Sequence, residues 1–335
     1  MKRLSCTVTT RRCNWRIRFK QGIIVEKFLV TGGAGFIGSN IARTLVRQRC
    51  FVRVLDNLST GKKSNLADIL DKIEFIEADM GQTDVARAAV RDIDIVLHQG
   101  ALPSVPRSVA DPAATHRDCV DATFTMLLAA RDAKVKRFVY AASSSAYGDT
   151  PTLPKIETMP VQPLSPYAVG KLVGEYYCSV FFKVFGLETI SLRYFNVFGP
   201  SQNPKSQYAA AIPAFVTAIL AGTPPTIYGD GTQSRDFTYV DNVVEANLLA
   251  ARARQTHGEV VNIACGDRIT VNEIINLINK LLGKNVKPDY VPSRPGDVKH
   301  SLADISLASK VIGYKPQVFF REGLEKAIDW YSRNL

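Results

Sequence analysis

The sequence has no Cys-x-x-Cys pair, no histidine at zinc-site spacing among its four, no low-complexity tract, and no run approaching the ~20 apolar residues that cross a bilayer. Each absence removes a class. The six scattered cysteines (Cys6, Cys13, Cys50, Cys119, Cys178 and Cys265) read as free thiols in a reducing compartment, so neither a disulfide frame nor a metal site is expected. Without a long apolar run no membrane span is expected, and the chain reads as cytoplasmic. Its 335 residues, 46% hydrophobic and 22% charged, exclude intrinsic disorder and collagen. Acid is missing from residues 1–22, which carry seven bases: Lys2, Arg3, Arg11, Arg12, Arg16, Arg18 and Lys20. The remainder holds 35 bases against 31 acids, so most of the net charge of +11 belongs to this tail. We read the tail as a disordered extension and expect neither nucleic acid nor membrane as a partner.

From Lys27 onward, short β-branched runs alternate with longer helical stretches. Phe28–Val30, Val52–Leu55, Glu74–Glu77, Ile93–Leu97, Phe138–Ala141, Thr189–Leu192 and Val260–Ile263 read as strands; Gly38–Gln48 and Thr83–Arg91 read as helices. The alternation predicts an α/β fold with a Rossmann-type, doubly wound parallel sheet and a ligand crevice at the carboxyl ends of its strands. This domain is placed at 27–195, with return segments at about 236–263. Gly/Pro-punctuated loops after residue 196 mark a smaller C-terminal α/β cap for substrate, placed at 196–235 and 264–333.

Glycines 32, 35 and 38 of Thr31-Gly32-Gly33-Ala34-Gly35-Phe36-Ile37-Gly38 sit between the first strand and the first helix. That spacing provides a tight turn, a close backbone approach to a diphosphate, and N–H groups at a helix N-terminus aimed at negative charge. Asp56 ends the second strand about 20 residues further on, where a carboxylate accepts from ribose hydroxyls and repels a 2′-phosphate. NAD is therefore expected over NADP. Asn57, Asp79, Met80, Gln99, Gly100, Ala101 and Tyr194, at or near later strand ends, complete the candidate cofactor contacts with Gly32, Gly35, Phe36, Ile37 and Gly38.

Ser143, Ser144 and Ser145 follow the fifth strand, and Tyr167 opens a helix four residues before Lys171, so both side chains share one face. A tyrosine hydroxyl titrates near ~10, so a tyrosine base at neutral pH needs positive charge beside it. Lys171 and an oxidised nicotinamide supply that charge, and a serine hydroxyl steadies the reacting oxygen.

From Lys27 to about Trp330 the chain resembles the extended short-chain dehydrogenase/reductase family. Within it, Tyr140-Ala141-Ala142-Ser143-Ser144-Ser145, Leu164-Ser165-Pro166-Tyr167-Ala168-Val169 and Leu192-Arg193-Tyr194-Phe195-Asn196-Val197-Phe198-Gly199 are similar to the epimerases of UDP-N-acetylglucosamine and UDP-glucose. The resemblance implies hydride removal from the sugar 4-position and its return to the opposite face, with the cofactor regenerated. Dehydratases and decarboxylases of the family carry carboxylates after the active-site hydroxyl, whereas here Ser144-Ser145-Ala146-Tyr147-Gly148 holds none. It also implies substrate contacts at Ser104, Ser143, Asn196, Ala210, Tyr228, Arg235, Arg294, Asp297 and Ser301. Arg235 and Arg294 would grip the diphosphate, and the small Ser301 would leave room for an N-acetyl group.

The expected reaction interconverts UDP-N-acetylglucosamine and UDP-N-acetylgalactosamine, and UDP-glucose and UDP-galactose. The alternatives are a UDP-glucuronate 4-epimerase or decarboxylase and a non-catalytic NAD-binding scaffold. Asp118 and Cys119 depart from the family's asparagine-bearing pattern and leave one cofactor contact open. The resemblance further implies a homodimer through helices near 111–131 and 166–184. Phe124, Leu127, Leu128, Tyr176, Val180 and Phe181 there read equally as interface or as core.

Overall fold

The computed structural model describes residues 25–203, 211–293 and 298–334. Seven strands form one all-parallel sheet: β1 (Lys27–Thr31), β2 (Phe51–Asp56), β3 (Glu74–Glu77), β4 (Ile95–His98), β5 (Arg137–Ser143), β6 (Glu188–Tyr194) and β7 (Glu259–Ile263). Their spatial order is β3-β2-β1-β4-β5-β6-β7. The order reverses between β1 and β4, and at such a switch the loops leaving the two strands part and open a crevice.

Alternate side chains serve opposite faces because a strand repeats every two residues. Phe28 and Val30 of β1 and Val139 and Ala141 of β5 enter one core; Leu29, Phe138, Tyr140 and Ala142 enter the other. The Phe36–Arg47 and Val240–Arg252 helices pack together on the first face, and the Thr83–Ala89, Ala122–Asp132 and Pro166–Phe185 helices on the second. The first core also runs without interruption into the Ala211–Ala221, Val271–Leu282 and Phe320–Asn334 helices. The Val240–Arg252 helix and β7 bring the chain back onto the sheet.

The C-terminal half otherwise uses short pairings across long sequence distances. Thr226–Tyr228 lies parallel to Asp289–Val291, and Ser234–Arg235 antiparallel to Ile269–Thr270. Cys50, Cys119, Cys178 and Cys265 are all unpaired. Among the described residues no helix is long and apolar enough to cross a membrane, and no group of His, Cys, Asp and Glu is arranged to hold a metal ion. The basic tail lies outside the described residues.

Candidate active site

Gly32 opens the loop after β1 in the left-handed region, at φ +64°, and a Cβ there would stand 2.8 Å from Gly100 Cα. A Cβ on Gly38 would fall 2.3 Å from the Gly32 carbonyl oxygen. Only glycine lets the loop fold back this closely. The Phe36–Arg47 helix that follows has neither a side-chain cap nor an acid in its first turn, so its leading N–H groups remain for an anion. Asp56 Oδ2 accepts from the Ala34 N–H (2.9 Å) and Oδ1 from the Leu58 N–H (2.8 Å). Burial raises its carboxyl above the usual range. Loop, helix end and acid border a cleft of about 860 Å³, together with Asn57, Asp79, Met80, Gln99, Gly100, Ala101 and Tyr194. The glycine cradle, uncapped helix end and terminal acid fit a dinucleotide.

Two networks fix the cleft's inner wall. Tyr194 donates to Gln99 Oε1 (3.1 Å) and accepts from Asn247 Nδ2 (2.8 Å), while Gln99 Nε2 donates to Asn247 Oδ1 (2.9 Å). His98 is fully buried, which drives its imidazole down to about 3 and keeps it neutral. Its tautomer follows from its partners. Thr123 Oγ1 donates to the Cys119 carbonyl (2.8 Å) and so accepts from His98 Nε2 (3.1 Å). Nδ1 is left to accept from Thr31 Oγ1 (3.0 Å), whose oxygen takes the Gly100 N–H (3.1 Å). This relay pins the backbone of Gly100 against the glycine loop.

The Pro166–Phe185 helix begins cleanly, with proline at its first position and Ser165 Oγ accepting from the Ala168 N–H (3.2 Å), a cap that contributes about 1 kcal/mol. Tyr167 and Lys171 then face the cleft from successive turns. Lys171 is buried; its Nζ donates to the Ala141 carbonyl (2.8 Å) and lies 5.0 Å from the centre of the Tyr140 ring. The Ser143 hydroxyl is near enough to Tyr167 to favour its ionised form. The Ser145 N–H donates to Ser143 Oγ (3.2 Å), and the two hydroxyl oxygens lie 2.8 Å apart. Burial pushes Tyr167 up and Lys171 down, and the nearby Ser143 hydroxyl works against the rise at Tyr167. A hydroxyl, a phenol and an ammonium thus stand together, able to move a proton to or from a substrate oxygen.

The profile of the NAD dependent epimerase/dehydratase family matches residues 28–264. The chain belongs to that family. A putative UDP-glucose 4-epimerase of Methanocaldococcus jannaschii is 38% identical over 308 residues, 91% of this chain and 98% of that one. A UDP-N-acetylglucosamine 4-epimerase of Methanobrevibacter ruminantium, solved with UDP-N-acetylmuramic acid, is 40% identical at a TM-score of 0.89, covering 93% and 100%. A UDP-glucuronic acid 4-epimerase of Bacillus cereus, solved with UDP-glucuronic acid and NAD, is 34% identical at a TM-score of 0.85, covering 92% and 100%. The chain is an NAD-dependent nucleotide-sugar 4-epimerase.

In this epimerase every cofactor contact expected from the sequence borders the cleft, and so do Ser104, Tyr167 and Lys171. Ser104 holds an unusual φ of +108° while its Oγ caps the Val105–Ala110 helix. The other candidates behave differently. Ser143 at the end of β5, and Ser144 and Ser145 in the turn after it, are not among the residues lining the cleft. Asn196 Nδ2 donates to the Asp236 carbonyl (2.8 Å) and to Ser301 Oγ (3.2 Å), and Ser301 Oγ also takes the Asp236 N–H (3.4 Å). Arg235 Nη1 donates to the Ser234 and Lys299 carbonyls (3.0 and 2.9 Å), and Tyr228 is exposed. These four residues stand apart from the cleft's lining. Ala210, Arg294 and Asp297 lie outside the described residues. The sequence reading missed Arg107, Gln202, Trp330 and Asn334, which also line the cleft, as does Asp118. Trp330 and Asn334 arrive on the Phe320–Asn334 helix, and no local pattern connects them to a loop some 300 residues earlier.

Proposed function

We propose that the enzyme interconverts UDP-N-acetylglucosamine and UDP-N-acetylgalactosamine, and UDP-glucose and UDP-galactose, by inverting the sugar's fourth carbon. The carrying observation is the Ser144–Tyr147 turn beside Tyr167, which contains no carboxylate. Elimination needs an acid and a base at that place, so inversion is the outcome these residues support. The small side chain of Ser301, drawn towards Asn196 and Asp236, favours room for an N-acetyl group.

In this reading Tyr167 takes the 4-hydroxyl proton on its phenolic oxygen, and Ser143 bonds the same substrate oxygen. Lys171 favours the phenolate and holds the cofactor's ribose. NAD, held by the glycine loop, Asp56, Asp79 and the wall of Gln99, Gly100, Ala101 and Tyr194, supplies the reversible hydride acceptor. Asn196, Ala210, Tyr228, Arg235, Arg294 and Asp297 hold the nucleotide while the 4-keto sugar turns over. Planar guanidinium groups suit the diphosphate.

A second reading, with UDP-glucuronate as substrate, is favoured by Arg107, a cation bordering the cleft beside Ser104. Offering the purified protein each UDP-sugar separately, without added nicotinamide, tests both. A 4-epimer from UDP-N-acetylglucosamine supports the first reading, and turnover of UDP-glucuronate alone replaces it with the second. A bound but unreactive dinucleotide would leave only a scaffold.

We infer also a homodimer. Leu127 and Phe181 are core, but Val169, Tyr176, Val180 and Val184 lie exposed along the Pro166–Phe185 helix, an apolar stripe suited to a second copy.

A further inference from the structure

Behind the reacting groups lies an ion pair with no role assigned above. Glu175 stands one helical turn beyond Lys171 and two beyond Tyr167, on the same stripe of the helix. Its Oε1 accepts from Arg193 Nε at 2.9 Å and its Oε2 from Arg193 Nη2 at 2.7 Å, a bidentate geometry between side chains only 2% and 4% exposed. The guanidinium carbon lies 4.6 Å from the centre of the Tyr147 ring, and the Tyr147 hydroxyl donates to Asn262 Oδ1 at 2.7 Å. One buried cation therefore touches all three segments that carry the site. These are the helix of Tyr167 and Lys171, the strand that continues to Tyr194 and Asn196, and the turn that follows Ser143.

Burying two charges returns little net stability, and apolar side chains of similar volume serve packing at least as well. The surroundings of Lys171 suggest what the pair does instead. Titratable groups face that region from the Arg117–Asp121 turn (Cys119), β4 (His98), β5 (Tyr140), β6 (Arg193) and its own helix (Tyr167, Glu175, Cys178). Burial holds the Cys119 thiol up, pushes Cys178 up to about 12 and Tyr140 well above its ordinary range, and keeps His98 at about 3. Those four are neutral near pH 7, as is Tyr167 in the free protein. Burial also raises Glu175, which the Arg193 guanidinium opposes, and the paired geometry is that of ionised groups. Glu175 is then the anion, among the groups named, that acts on Lys171.

We propose that Glu175 and Arg193 are positioning residues that lock the Tyr167–Lys171 face of the helix to the serine turn, the Glu175 carboxylate partly offsetting the positive charges of Arg193 and Lys171. The inference rests on the assignment of Tyr167 and Lys171 to proton transfer. Its test uses the NAD-loaded enzyme and two variants, Glu175→Gln and the double variant Glu175→Met/Arg193→Met, followed by thermal unfolding, kcat, KM and the pH dependence of kcat.

Glu175→Gln should lower kcat by about tenfold or more with KM little changed. Removing the anion should also move the pH profile towards acid by about half a pH unit or more, since the remaining positive charge favours loss of a proton from Tyr167 and Lys171. The double variant should keep the parent's melting temperature without recovering kcat. Recovery of kcat along with stability in the double variant, or an unmoved pH profile in Glu175→Gln, would overturn the proposal. If Glu175→Gln fails to fold, the double variant decides alone. An inactive parent would overturn the assignment of Tyr167 and Lys171 as well, whereas an active parent with unaffected variants overturns only the role of the pair.

Discussion

The carboxylate of Asp56 takes the amide hydrogen of Ala34 at 2.9 Å, so the acid at the end of β2 braces the glycine loop as well as facing the cleft. Its other oxygen holds the Leu58 N–H. In Asp56→Asn the amide nitrogen must face one of these donors whichever way it turns. NAD affinity should fall by about tenfold or more, since hydrogen bonds to charged groups contribute about 1.5–3 kcal/mol. The pH dependence follows from the raised pKa. Protonation removes a ribose acceptor, so NAD binding should weaken as pH falls through a value above the usual ~3.9. Stability of the NAD-free protein should respond in the opposite sense. With the folded pKa above the unfolded one, the Asp56 contribution is present in acid and lost as pH rises through the folded value. Binding titrations and thermal unfolding of the stripped protein across about pH 4–7 read both. NAD affinity unchanged in Asp56→Asn would remove Asp56 from the cofactor site.

Tyr167→Phe removes the hydroxyl that stands near Ser143 while leaving the ring in place. Turnover should drop by about 10²–10⁴, the usual contribution of a positioned general base, with NAD still bound at the parent's stoichiometry. Steady-state rates and the NAD content of the purified variant check this. A near-parental rate would pass the proton to another group.

The sheet was almost wholly legible because each strand carries its own β-branched signal; Glu74–Glu77 agrees at both ends, and the other six differ at their termini by one or two residues. The residues lining the cleft were legible for a related reason. Gly32, Asp56, Gln99 and Tyr194 all lie at or just past the carboxyl ends of strands, so strand positions alone gather them at one edge. The cap was not. Its pairings, such as Thr226–Tyr228 with Asp289–Val291, join two- and three-residue segments whose signal is too short to read. Glu175 was overlooked although it sits four residues past Lys171, because sequence cannot tell a buried carboxylate from a solvated one. Its partner on β6 identifies it.

Ser301 Oγ bonds both Asn196 Nδ2 and the Asp236 N–H, which draws this small side chain towards the floor of the cap. In the proposed reading, where Ser301 borders the sugar, Ser301→Tyr fills the space left for an N-acetyl group with a ring. Turnover of UDP-N-acetylglucosamine should fall at least about tenfold more than that of UDP-glucose, as expected when a pocket loses space for one substituent. The ratio of the two kcat/KM values is the measurement. Equal losses would mean that the variant merely disrupts the Asn196–Asp236 contact.

Val180 is 46% exposed on the Pro166–Phe185 helix, and Tyr176 and Val184, one turn to either side, are 58% and 65% exposed. Such a row is unfavourable in water and becomes favourable once a second copy covers it. The parent should sediment at twice the chain mass. Val180→Glu introduces a charge that two symmetry-related copies would bring close together, and should shift the protein to monomer. Because Val180 is on the solvent side of the helix, the melting temperature of the isolated monomer should be little affected by the charge itself. Sedimentation velocity over a concentration series distinguishes the outcomes. A monomeric parent, or a variant that dimerises as well as the parent, would show that this face is not the contact.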